Sequence, residues 1–380
     1  MTIRTTTALL TCAAIAAAGT AGAEIRLGAS LSATGGAAFL GDPEAKTLEM
    51  LVEQLNEEGG IDGEEVELIL YDDGGDPNQA RTFATRLIED DEVVAIIGGS
   101  TTGTTMSIAS LAEDEGIPFI SLAGAIQIID PVREYVFKTP HTDRMACEKI
   151  FEDMQARGFT TIGMISGTDG FGASMQAQCK EVAGDYDIEI AADETYGPQD
   201  ADMTPQLTRI RNTDGIDAIL NPGFGQGPAI VTRNYSQLGI DTPFYQSHGV
   251  ASDAFIELAG ASESEGVRLP GTALLIADLL EEGDPQREVV TSYNDAYREQ
   301  YGEAPSTFGG YAHDAFLLMT NAIREAGSDD PDAIRDALEA TDGLVGTTGT
   351  YTMSEEDHLG LDLSAFRMLE ITDGGWSSVE

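Results

Sequence analysis

Twice along this chain, short apolar runs of β type alternate with longer stretches of helical spacing. That rhythm narrows the choice of fold more than any other feature. The first round opens with a strand at Ile25–Leu31. A helix from Pro43 to Glu58 follows, with apolar residues at Leu48, Leu51, Val52 and Leu55 and a stop at Gly59-Gly60. Val66–Tyr71 is the next strand. Asp76-Pro77 reads as an N-cap with Pro at the first helical position, opening a helix to Ile88. A strand at Val93–Ile97, a helix to Glu115 and a strand at Pro118–Ser121 complete the round. The rhythm restarts after Pro140. Helices at Arg144–Arg157, Met203–Asn212, Gly227–Leu238 and Ser252–Ala259 alternate with strands at Thr161–Ser166, Ile188–Ala191, Ala218–Leu220 and Phe244–Ser247; another helix follows the Gly-rich loop from Gly167 to Gly172. Three further helices, Pro285–Tyr301, Phe308–Ala326 and Pro331–Ala340, precede two strands at Gly349–Met353 and Ala365–Thr372. Strand–helix–strand repetition builds parallel sheets covered by helices, so an α/β fold with two units of similar size is expected. A length of 380 residues fits two domains, or three.

Charge removes whole classes of partner. The formal net charge is −46. A surface that acidic repels phosphate backbones and anionic headgroups, so neither nucleic acid nor a membrane surface is an expected partner. Only Lys46, Lys138, Lys149 and Lys180 are lysines. Such acidity with so little Lys suits a protein solvated in high salt. At 42% hydrophobic residues a sizeable core is still available.

The N-terminus reads as an export signal. Arg4 supplies a positive start, Ala8 to Gly19 a small apolar stretch, and Ala21-Gly22-Ala23 a cleavage site with Glu24 as the first mature residue. Removing residues 1–23 takes away one Arg and no acid, leaving −47. A membrane anchor would need about 20 apolar residues, and lipidation at Cys12 is disfavoured by Thr11 before it. The mature protein is therefore expected to be exported and soluble. It keeps two cysteines, Cys147 and Cys179, in helices on either side of Thr161–Ser166. An oxidising compartment permits a bridge between them; two buried thiols are the alternative.

The common catalytic signatures are missing from the sequence. The chain has no GxxxxGK[ST], no GxGxxG after the first strand, no GxSxG and no HExxH. His141, His248, His313 and His358 lack metal-ligand spacing. Asp72-Asp73 and Asp169 read as capping or solvated acids. No enzyme, cofactor or metal is expected. What remains lies at the C-terminal ends of strands, where open α/β sheets bind ligands. Ser100-Thr101-Thr102 ends one strand and opens a helix, offering hydroxyls and free amides to a carboxylate or, equally, serving as an ordinary N-cap. Phe39, Leu40, Phe171 and Phe224 are apolar residues in expected loops after strands, and several at equivalent strand ends look like pocket walls.

Several stretches carry a family resemblance: Leu31-Ser32-Ala33-Thr34-Gly35 with Leu40-Gly41, Asn56 to Gly63, Tyr71-Asp72-Asp73 with Asp76-Pro77, Ile97-Gly98-Gly99-Ser100, Glu113 to Pro118, and Phe171-Gly172. In this order and spacing the chain resembles the periplasmic solute-binding proteins of ABC importers, of the leucine/isoleucine/valine-binding type. The resemblance covers essentially the whole mature chain. It implies two doubly wound Rossmann-like lobes joined by three crossovers, the type I periplasmic binding protein fold, closing like a hinge. Crossings fall near Thr142, Gly271 and Val345, giving lobe 1 as residues 24–142 plus 272–345 and lobe 2 as 143–271 plus 346–380. By position, Ser100 and Thr102, flanked by Thr101, with Ala123 and Ala125, meet the ligand carboxylate. Leu40, Phe171, Phe224 and Phe308 match wall positions.

The chain also departs from that family. Ala125 stands where the amino-acid binders carry a hydroxyl. His248 stands where they place a Glu against the ligand ammonium; a neighbouring acid such as Asp253 could replace it. A disulfide at the positions of Gly75 and Thr101 is absent. The implied function is capture of a small carboxylate-bearing ligand, an amino acid or related organic acid, and delivery by a monomer to an inner-membrane permease with a cytoplasmic ATPase. A protonated His248 would make anion binding weaken as pH rises through about 6.5. A ligand sensor for a membrane receptor and a secreted hydrolase are the other classes in view.

Overall fold

The computed structural model describes residues 24–379. The expected export signal, the cut after Ala23 and Cys12 lie outside the described residues. The first sheet has five parallel strands: β1 (Ile25–Leu31), β2 (Val66–Asp72), β3 (Ala95–Gly98), β4 (Phe119–Ser121) and β5 (Val136–Lys138), in the order β2-β1-β3-β4-β5. Parallel neighbours cannot be joined by a tight turn, so helices make the first three crossings. They are α1 (Ala38–Glu57), α2 (Pro77–Glu89) and α3 (Thr102–Glu115). Successive strands step outward from β1 in opposite directions, which opens a crevice beyond the ends of β1 and β3. The starts of α1 and α3 face that crevice.

The second unit runs α4 (Asp143–Ala156), β6 (Thr161–Gly167), α5 (Gly170–Val182), β7 (Glu189–Tyr196), α6 (Thr204–Arg211), β8 (Ala218–Asn221), α7 (Gln226–Gln237), β9 (Phe244–Gln246), α8 (Asp253–Ala259) and β10 (Arg268–Gly271). The chain then returns to the first unit with α9 (Arg287–Tyr301), α10 (Thr307–Ala326), α11 (Pro331–Glu339) and the hairpin β11 (Asp342–Val345) with β12 (Thr350–Thr352). It finishes on the second sheet with β13 (Arg367–Thr372) and β14 (Gly375–Ser378), giving the order β14-β13-β10-β9-β8-β6-β7. Both of these last strands are antiparallel to their neighbours. Arg268 fastens this corner, pairing with Asp153 of α4 at 2.9 Å and Glu370 of β13 at 2.7 Å.

The central strands, covered on both faces, are almost continuously apolar, whereas the edge strand β7 exposes every other residue. In the first lobe, Leu27, Ala29 and Leu31 pack with Leu48 of α1 and Ala312, Ala315 and Met319 of α10. The other face holds Ile96 and Phe119 against Ala80 and Leu87 of α2 and Ile108 of α3. Each large side chain buried this way contributes about 1.5–3 kcal/mol. In the second lobe, Cys147 of α4 and Cys179 of α5 form a disulfide, with Cα atoms 5.1 Å apart.

Three placements differ from the sequence reading. Helix α1 begins at Ala38, not at Pro43, so Phe39 and Leu40 are helical; Pro43 is tolerated inside the helix at the loss of one backbone bond. Phe171 likewise lies in the first turn of α5, whose N-cap Asp169 accepts hydrogen bonds from the Phe171 and Gly172 amides. The third passage between lobes is not near Val345. Tyr351, Met353, Leu359 and Leu361 pack in the first lobe's core, and Tyr351 Oη donates to the Asp314 carboxylate at 3.0 Å, so the chain leaves only at Ala365–Phe366.

Candidate functional site

The two crevices face each other across one pocket, whose water-accessible volume is about 40 Å³. The first lobe supplies Leu40 from α1, Ser100, Thr101 and Thr102 from the β3–α3 turn, and Ala123 after β4; Phe308 comes from α10. The second lobe supplies Phe171 from α5, Phe224 from the β8–α7 loop and His248 after β9. These nine sequence-singled residues come together. Two others do not. Phe39 points to the outer rim, its ring centroid 5.7 Å from Phe308 and 6.0 Å from Phe224. Ala125 is fully buried in the core beneath α3, because the chain turns inward there. Asp253 accepts from Trp376 Nε1 at 2.8 Å and does not reach the cavity.

Sequence reasoning missed Leu122, Gly124, Pro140, Gly249 and Tyr311. Tyr311 could have been found, since it lies one helical turn after Phe308. Gly124 could not, because its role depends on the opposite lobe. Glu44, which stands behind Ser100, was also missed.

The polar wall is built from the start of α3. Thr101 and Thr104 form a reciprocal capping box, which leaves the first-turn amides before Thr104 without helical partners. Thr102 Oγ1 is buried and has no hydrogen-bond partner. Ser100 Oγ accepts from the Ser32 amide at 3.0 Å and shares a short hydrogen bond with Glu44 Oε2. Glu44 is fully buried, and burial, reinforced by Asp73, pushes its pKa up to about 8 against the lowering effect of the Ser100 bond. Asp73 accepts from Ser30 Oγ at 2.9 Å, Ser32 Oγ at 2.7 Å and the Gly75 amide at 2.9 Å; Asp72 accepts from Thr34 and Gly74. The acid pair thus serves the turns around β2.

Across the cavity, His248 is buried and stacks edge-on against Phe171 at 5.3 Å and Phe366 at 5.4 Å. Burial, with the nearby charge of Lys138, lowers its pKa to about 3. Burial thus favours the neutral imidazole in the ligand-free cleft. Lys138 is itself buried, donates to the His141 carbonyl at 3.3 Å, and is lowered by burial to about 7. Tyr311 Oη, on the apolar side, has no hydrogen-bond partner. The lining residues include no Asp, Glu, Lys or Arg.

Among the described residues, no cluster of His, Cys, Asp and Glu could hold a metal ion, and no helix is long and apolar enough to cross a membrane. Two Rossmann-like lobes with a small, largely apolar cavity between their switch points define a two-lobed solute-binding protein. The family model described as periplasmic binding protein matches residues 24–375, and the chain belongs to that family. Its relatives are binding proteins, not enzymes, and membership implies a periplasmic location.

A leucine-, isoleucine-, valine-, threonine- and alanine-binding protein of Pseudomonas aeruginosa is 26% identical over 313 residues, 81% of this chain and 80% of that one. A Leu/Ile/Val-binding protein homolog of Brucella abortus is 26% identical over 366 residues, 90% of this chain and 87% of the relative. Among solved structures, an extracellular ligand-binding receptor from Rhodopseudomonas palustris superposes with a TM-score of 0.87 at 29% identity, covering 94% of this chain and 99% of that one. A branched-chain amino acid transporter substrate binding protein from Streptococcus pneumoniae, in complex with isoleucine, shares the fold with a TM-score of 0.83 at 24% identity, covering 94% and 98%.

Proposed function

We propose that this protein is the solute-binding component of an ABC importer for a small organic carboxylate with an apolar body, which it hands to an inner-membrane permease driven by a cytoplasmic ATPase. One observation carries the choice of ligand. The cavity offers hydroxyls and free amides at the start of α3, Ser100 to Thr102, and no acid opposite them. The carboxylate sits on that wall, in contact with Ser100 and Thr102. Leu40, Phe171, Phe224 and Phe308 surround the body of the ligand, and His248 meets it as a neutral ring. Leaving an ammonium unpaired in such a site costs several kcal/mol, so keto and aromatic acids outcompete leucine. The lobes, residues 24–142 with 272–365 and 143–271 with 366–379, close about the three passages between them.

Calorimetry with α-ketoisocaproate, phenylpyruvate and L-leucine at pH 7 tests this reading. The expected order places at least one of the two acids well ahead of leucine. At a hundredfold excess over Kd the bound acid should stabilise the fold by about 2.7 kcal/mol, and scattering should show compaction. Leucine binding tighter than either acid, unaffected by His248→Ala, would instead make the protein an ordinary amino-acid binder.

A further inference from the structure

Glu44 is a carboxyl group where an anion site can least accommodate a charge, one residue behind the wall that the carboxylate reading assigns to the ligand. The geometry around Ser100 explains how it fits. A serine hydroxyl has one proton and two lone pairs. At Ser100 the Ser32 amide, 3.0 Å away, occupies one lone pair, and Glu44 Oε2 occupies a second position in a short hydrogen bond. The third position is the one left for the cavity that Ser100 lines. If Glu44 is ionised it must receive the Ser100 proton, and Ser100 then presents a lone pair to the cavity. If Glu44 is a neutral acid, it donates to Ser100, and the Ser100 proton is left for the cavity.

Resting on the carboxylate reading of the cleft, we infer that Glu44 is a positioning residue that, as a neutral acid, makes Ser100 a hydrogen-bond donor to the ligand anion. Its surroundings favour that form. Glu44 is fully buried, and its Oε1 has no hydrogen-bond partner. The charged neighbour that acts on it is another acid, Asp73, at the end of β2, itself held by Ser30, Ser32 and Gly75. The helices packed against α1 present Tyr293, Tyr297 and Tyr311, whose hydroxyls burial keeps neutral; His313 and Asp314 pair with each other at 2.9 Å. Burial raises the Glu44 pKa to about 8, so the neutral form dominates at pH 7 and is lost in mild alkali. Lys138 also titrates near the cleft, at about 7, so wild-type pH dependence alone is not diagnostic.

The test measures α-ketoisocaproate and phenylpyruvate affinity by calorimetry at pH 7 and pH 9 for the wild type, Glu44→Gln and Ser100→Ala. Gln keeps a donor toward Ser100 and cannot ionise. The ratio of wild-type Kd to Glu44→Gln Kd should grow about tenfold between the two pH values, a comparison in which Lys138 cancels. Ser100→Ala should lose the same slope, which covers the case of a Glu44→Gln variant that fails to fold. Infrared difference spectra of ligand-free wild type and Glu44→Gln at pH 6 should show one neutral carboxylic-acid band absent from the variant. A constant Kd ratio with a probe that binds, or an ionised Glu44 at pH 6, overturns this assignment alone. Failure of both acids to bind at either pH overturns the carboxylate reading, and this assignment with it.

Discussion

A Cβ atom placed on Gly124 would stand 2.8 Å from His248 Nε2 and 2.9 Å from the ring of Phe171. Gly124 belongs to the first lobe and both partners to the second, so the lobes meet through a missing side chain. Real Cβ atoms do not approach so closely, and both rings are buried. Gly124→Ala should therefore hold the cleft ajar. Overpacking of this kind costs about 1–3 kcal/mol, so ligand Kd should rise about 5- to 150-fold. Scattering should show less compaction with ligand than in the wild type. Wild-type affinity and compaction in the variant would show that the contact does not limit closure.

His248 should also set part of the protein's acid stability. Its folded pKa, about 3, lies below the unfolded value near 6.5. Above pH 6.5 both states are neutral there and no penalty arises. As pH falls below 6.5 the unfolded chain takes up a proton that the folded protein refuses, so stability drops. Glu44 acts with the opposite sign: its folded pKa is raised to about 8, and the stability it confers is lost as pH rises from 4.5 to 8. The two slopes offset each other between pH 4.5 and 6.5, so a variant is needed to expose one. Relative to His248→Asn, the wild type should lose about 2 kcal/mol between pH 6.5 and pH 5 in denaturant titrations. An unchanged difference would mean that the ring is solvated and protonates freely.

The Cys147–Cys179 bridge closes a loop with a sequence separation of 32. By loop entropy, opening it should cost about 3–4 kcal/mol. The double Ala variant should melt lower and be more readily proteolysed between α4 and α5. Neither cysteine reaches the cavity, so Kd measured below the lowered melting point should stay close to wild type.

Salt should stabilise the protein. With a net charge near −46 and few cations, like charges crowd the surface, and ions screen them over about 8 Å at physiological strength. The melting temperature should be higher in molar NaCl than at low ionic strength. Equal values would place the compensation in local ion pairs such as those of Arg335, which bonds Glu134 and Asp336.

Much of the scaffold was legible because apolar periodicity and turn chemistry agree. Ser100 to Thr102, Phe171 and Phe224 follow strands whose ends must converge in any doubly wound sheet. Other features depend on distant residues. Glu44 reads as a solvated helix position, and becomes buried only because the β3–α3 turn, 56 residues later, packs over it. Strand β10 reads Arg268-Leu269-Pro270-Gly271, two breakers in four residues, and is held by pairing on both edges. Phe39 and Leu40 were misplaced because Pro43 imitates a helix start. The late third passage follows from Tyr351, whose burial among first-lobe side chains no local signal announces.

The pairing of β10 with β13 joins residues 102 positions apart, as at Arg268 and Glu370. Between them the chain builds the three helices α9, α10 and α11 of the other lobe. While the chain folds, then, one edge of β10 stays open until residues 367–372 pair with it. Open edges recruit foreign strands. The sheet of the second lobe is therefore complete only once its C-terminal strands have joined it.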